Sequence, residues 1–164
     1  MFNIINHKKI YIKLSEETEK ICQIIIKNGF KENLLSNQHW NVSLIYYHLL
    51  AIIYVFLKNK KGSNIAEKVS QKLIYEILVR LPKEYEDDII KYSSNIITKY
   101  VSIYRQSMNK ENDIKLDYLE ELAKGICEIV ANDALYFMKE EYKNLIIELK
   151  KYFAENITIC EKLI

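Results

Sequence analysis

Apolar side chains fill nearly every position from Val42 to Leu57 in the stretch WNVSLIYYHLLAIIYVFLKNKKG, residues 40–62, where only Ser43, His48 and the tyrosine hydroxyls interrupt the run. As a helix, those sixteen residues would extend ~24 Å, short of the ~30 Å hydrocarbon core that a membrane span crosses with about 20 residues. A helix that is apolar on every side is otherwise one surrounded by other helices. The run therefore predicts no membrane span but the spine of a helical core over residues 38–59, closed by Lys58, Lys60, Lys61 and Gly62.

The rest of the pattern supplies the helices that would surround this spine. Ser15 followed by two glutamates reads as an N-cap with acids in the first turn. Ile21, Cys22, Ile24 and Ile25 then share a face, and Gly29 can close a helix over about 16–28. Ile65, Val69, Leu73 and Ile77 recur every fourth residue after Ser63 and Asn64, predicting a helix that stops at Leu81-Pro82. Residues 84–109 carry two adjacent apolar stripes, one with Ile90, Ile97 and Val101 and one with Ile89, Tyr92, Ile96, Tyr100 and Ile103. Together they are wider than the roughly 100° that one-sided packing needs, so this helix meets two neighbours or a partner. From Leu116 to Tyr152 apolar residues fall at steps of three or four without a break in phase. A single helix over 114–153 would be about 60 Å long, and Asn132-Asp133 offers the alternative of a helical hairpin.

One segment reads differently. In KIYIKL, residues 9–14, Ile10, Ile12 and Leu14 alternate with Lys9, Tyr11 and Lys13, which is strand periodicity. The expected architecture is thus all-α, one domain over 1–164, with about five or six helices around the central apolar helix and a short extended or β arm over 1–14.

Composition narrows the chemistry more than it identifies it. With 24 basic and 22 acidic side chains the net charge is +2, giving no global pull toward nucleic acid or anionic lipid. Cys22, Cys127 and Cys160 are scattered and odd in number, which fits reduced thiols and a cytoplasmic protein rather than a disulfide framework or a zinc site. The first residues show no basic region followed by an apolar core and a cleavage site, so no secretory signal is expected. No phosphate-binding glycine loop, nucleophile elbow or paired-histidine zinc motif occurs. No metal or cofactor is called for, and a non-catalytic protein is expected. The acids Glu84, Glu86, Asp87 and Asp88 read as first-turn residues that offset a positive helix end. His48, alone in its apolar helix, is either a hydrogen-bonded core histidine or the marker of a pocket for haem or another small molecule. His39 stands nine positions away, on nearly the opposite side of the same helix, and cannot join it at one metal.

Three functions follow as expectations. The first is regulation through a protein partner engaged by the tyrosine-rich helix, at Tyr85, Tyr92, Tyr100 and Ile103, with a second copy of the chain as a further candidate partner. The second rests on KKIYIKLSEETEKICQIIIKNGF, residues 8–30, which resembles the opening of ribbon-helix-helix DNA-binding proteins. The resemblance implies a dimer whose paired strands enter the major groove, with Lys9, Tyr11 and Lys13 toward the bases and Ile10, Ile12 and Leu14 on the dimer core. The all-round apolar run after residue 42 departs from that pattern, which needs an amphipathic second helix. The third is a small-molecule sensor with its pocket beside His48.

Overall fold

The structure, a computed structural model, describes residues 6–108 and 114–163. Among them the chain forms seven α-helices, two single 3₁₀ turns (Lys83–Tyr85 and Tyr136–Met138) and no strand. The helices are α1 (His7–Lys27), α2 (Lys31–Leu35), α3 (Gln38–Lys61), α4 (Ser63–Leu78), α5 (Glu86–Met108), α6 (Ile114–Val130) and α7 (Glu140–Leu163).

The all-apolar run becomes the spine. α3 touches α1, α2, α4, α5 and α6, and α7 closes the bundle by packing on α6 and α1. Ile45, Tyr47, Leu50, Ile53 and Leu57 are completely buried although they point to different sides of α3. α3 is also the described helix long and apolar enough to cross a membrane, and 72% of its most apolar window is buried against the protein's own helices. The bundle thus uses the all-round hydrophobicity internally. α3 still has to place its polar groups. Ser43 Oγ donates to the His39 carbonyl at 2.7 Å, and Asn41 Nδ2 donates to the carbonyls of Asn33 and Leu34 at the end of α2.

The expected strand is a correction. Residues 7–14 are the first two turns of α1, opened by Asn6, whose side chain accepts from the Lys9 amide. Alternation over six residues satisfies both periods, because Ile10 and Leu14 are neighbours on a strand face and also on a helix face. The helical stripe wins because it continues through Ile21 and Ile25, all buried against α3 and α7, whereas a lone strand has nothing to pair with. Ile12 is left 56% exposed as a consequence. Ser15, expected as a cap, lies inside the helix, and of the expected arm residues 1–5 lie outside the described residues.

The segment after Leu116 is a hairpin. α6 ends at Val130, and the connection turns where Asp133 accepts from the Leu135 amide and pairs with Lys139 at 2.8 Å. Two side chains cap the open end of α6. Asn33 Nδ2 donates to the Val130 carbonyl at 2.8 Å and Tyr142 Oη donates to it at 3.2 Å, so the last helical acceptors are not left bare. The unbroken phase reflects two antiparallel helices that both face the core. Glu17 then ties α1 to α7: it pairs with Lys13 at 2.8 Å and Lys20 at 3.1 Å and accepts from the Tyr152 hydroxyl.

Candidate functional site

α1 and α3 run side by side without filling the space between them. Tyr11, Ser15, Thr18, Cys22 and Ile26 form one stripe along α1, at steps of three and four. Gln38, Val42, Ser43 and Tyr46 form the opposing stripe on α3. The helices are antiparallel across this gap, since Tyr11 meets Tyr46 with ring centroids 6.0 Å apart while Ile26 lies at the end closed by Leu34 and Leu35 of α2. Ile77, Arg80 and Leu81 close the Tyr11 end. The result is a groove of about 420 Å³, within the range of small-molecule sites.

Two of its hydroxyls are committed to backbone carbonyls. Thr18 Oγ1 donates to the Leu14 carbonyl at 2.8 Å and Ser43 is spent on His39. Burial pushes the Cys22 thiol up to about 11, with Glu19 adding to the shift, so it is a protonated thiol and a poor nucleophile at neutral pH. Two groups are different. The Arg80 guanidinium lies 4.7 Å over the Tyr11 ring and forms no ion pair among the described residues. The Tyr46 side chain is 3% exposed, and its hydroxyl has no hydrogen-bond partner. Burial, reinforced by Tyr11, Tyr47 and Glu76, holds that hydroxyl far above the usual phenol range, so it stays protonated, enclosed behind the groove wall rather than open to it.

A buried hydroxyl without a partner costs about 1–3 kcal/mol. Tyr46→Phe should therefore raise the unfolding free energy by about 1 kcal/mol, read in urea denaturation. The Tyr47 hydroxyl is likewise buried and unpartnered. Tyr47→Phe should stabilise similarly.

The residues singled out in the sequence are dispersed. Tyr85 and Tyr92 both lean on Trp40, at 5.8 and 5.2 Å between ring centroids, and Tyr92 stays 47% exposed. Tyr100 belongs to the core at 0% exposure, and Ile103 is half-buried, so the four do not form one outward face. Lys9 is exposed, Lys13 is held by Glu17, and Tyr11 is part of the groove under Arg80. They sit on a helix, and the paired-strand arrangement has no strand to use. Glu86, Asp87 and Asp88 are exposed first-turn acids of α5, and Glu84 is exposed in the 3₁₀ turn just before it.

His48 is a core histidine. Its Nδ1 lies 2.7 Å from the Leu44 carbonyl and must carry the proton, leaving Nε2 bare. Nε2 and the Tyr100 hydroxyl both press on Gly125 of α6, so the space an iron or ligand would need is filled by protein. Burial lowers the imidazole to about 4, with Lys99 pushing the same way against the Leu44 bond. Among the described residues no group of three or more histidines, cysteines or carboxylates converges on a metal-sized space.

The groove escaped the sequence reading because its lining carries no motif. Its signal was only that the stripe from Tyr11 to Ile26 holds small and polar residues, Ser15, Thr18 and Cys22, where core packing would place large apolar ones. Comparisons with protein-family models, curated proteins and solved structures find no match, so the functional argument rests on this geometry.

Proposed function

We propose that the protein acts by binding rather than by catalysis, and that its ligand enters the groove between α1 and α3. The observation that carries this reading is the preformed cleft itself, whose exposed lining is mainly apolar and which has the Arg80 guanidinium at one end. Apolar walls with a few placed polar groups are the usual composition of a ligand site. The absence of turnover is supported by the state of the lining: the Thr18 and Ser43 hydroxyls are tied to backbone carbonyls and the Cys22 thiol is protonated. Cys22 and Cys127, free and held protonated by burial, support a cytoplasmic setting. A partner docking on the α5 tyrosines has less support, because one of them is core and two pack on Trp40.

Nile red, a neutral dye that brightens in apolar sites, tests the reading. Saturable binding of one dye per chain is expected, lost in Val42→Trp and again in Ile26→Trp, which fill the groove from opposite walls while far-UV circular dichroism stays unchanged. Dye binding that is unsaturable, or that survives both substitutions, removes the groove as a site.

A further inference from the structure

We infer that the cleft between the first turn of α1 and the outward face of α4 is a track for single-stranded nucleic acid, with lysines on the phosphates and Tyr75 stacked on a base. The cleft shares no lining residue with the groove between α1 and α3, so it stands or falls separately from that site. Lysines from three segments gather at this end of the bundle. Lys8 and Lys9 open α1, Lys58, Lys60 and Lys61 end α3, and Lys68 and Lys72 follow in α4 beyond Gly62. Because α1 runs antiparallel to α3, its start falls at the same end of the molecule as the close of α3. His7 then shares the cleft with Lys68 and Lys72. Those seven lysines are accompanied within α4 by two acids, Glu67 and Glu76, so the rest of the chain carries a net charge of −3 although the whole is +2.

The bundle does not use this charge for its own cohesion. Lys13, Lys20, Lys27 and Lys150 are held by glutamates. Lys8, Lys9, Lys68 and Lys72 are exposed and form no ion pair among the described residues. Like charges gathered this way repel one another, and a polyanion relieves the repulsion. Tyr75 narrows the class of polyanion. α4 turns Ala66, Val69, Ser70, Leu73 and Ile77 inward, whereas Lys68, Lys72 and Tyr75 follow its outer face at steps of four and three, and Tyr75 is left 65% exposed. Lysines alone accept any polyanion. An open aromatic ring between them offers a platform to a base, and the bases of a single strand are free to stack where those of a duplex are not. Gln71 and His7 add hydrogen-bonding groups to the same cleft, and half-buried Glu76 is the acid among its lining residues, outnumbered by the two lysines. A recess between two helices receives a strand more readily than the flat face of a bilayer, which disfavours an anionic membrane.

Fluorescence anisotropy of a labelled thymidine oligonucleotide, single-stranded and about twenty nucleotides long, tests the track on the full chain; that length exceeds one site of this kind. Saturable, salt-sensitive binding is expected. With about four phosphates neutralised, affinity should fall roughly fiftyfold between about 50 and about 200 mM salt. Lys68→Ala with Lys72→Ala removes two of those contacts and should reduce the fall to roughly sevenfold. Tyr75→Ala should weaken binding by about fivefold or more while Tyr75→Phe retains it, a difference that charge alone does not produce. Lys91→Ala with Lys143→Ala, exposed lysines of α5 and α7, should change nothing. An equal loss in that second pair, or binding indifferent to the α4 lysines, overturns the track. A duplex of the same length bound more tightly than the single strand overturns it too, as does polyglutamate that displaces the oligonucleotide at equal charge. No binding to the oligonucleotide at about 50 mM salt, where phosphate contacts are strongest, ends the proposal, and sedimentation with phosphatidylglycerol vesicles in that case reassigns the lysines to a membrane surface. Dye binding in the groove is a separate measurement that none of these results alters.

Discussion

Gly125→Ala will destabilise the protein by about 2–3 kcal/mol, although alanine is the better helix former by about 1 kcal/mol. Gly125 sits inside α6, and a β-carbon there would fall 2.9 Å from His48 Nε2 and closer still to the Tyr100 hydroxyl. Neither neighbour can yield cheaply. Tyr100 is completely buried and donates to the Glu121 carbonyl, and His48 is anchored to Leu44. Overpacking of this kind costs about 1–3 kcal/mol, and displacing a buried hydrogen bond adds about 1 kcal/mol or more. The melting temperature should fall by roughly 5–10 °C for a chain of this size. Tyr100→Phe removes the atom in closest conflict, so Gly125→Ala combined with Tyr100→Phe should be less damaging than the sum of the two singles. Additive losses would show that α6 does not approach α3 and α5 as closely as described.

Acid should weaken the fold before the ion-paired carboxylates of Glu120 and Glu148 are protonated. His48 is held at about 4 in the folded chain by burial, against an ordinary value of 6.5. Between those values the unfolded chain binds a proton that the folded chain refuses, so unfolding free energy rises with pH across the window. The stability is fully present above pH 6.5 and is lost as pH falls toward 4. The loss between pH 7 and pH 4.5 is about 2–3 kcal/mol. Glu120 and Glu148, whose ion pairs hold them below the usual carboxylate range, lose their contributions only at lower pH. Urea denaturation at pH 7, 5.5 and 4.5 measures the slope. His48→Gln, which keeps a donor and cannot titrate, should flatten it. A wild-type stability that is level down to pH 4.5 would mean that His48 reaches solvent or changes partner.

Long-period features were legible. The spine at 38–59, the helices after Ser63 and Lys83, and the closures at Gly29 and Gly62 all follow from patterns sustained over several turns. Both glycines do adopt positive φ, near 90°. The reading failed where a pattern was short. Six alternating residues at 9–14 fit a strand, and only the continuation of Ile10 and Leu14 into Ile21 and Ile25 against α3 shows the helix. The wide apolar face of residues 84–109 was legible as two-sided, but not which side was core. Its burial against α3 and α6 takes Tyr100 inside and leaves Tyr92 at the surface.

What the sequence determined by itself is the class of object: an all-α bundle around one apolar helix, because hydrophobic periodicity is a local property that a chain displays before it folds. Tertiary structure alone decided where that bundle is incomplete. A cleft exists only when two helices fail to meet, and an orphaned hydroxyl only when its neighbours are known. Ser15, Thr18, Cys22, Tyr46 and Arg80 come from α1, α3 and the turn after α4, and nothing in their spacing announces that they share a wall. Their meeting is a consequence of how α1, α3 and α4 pack.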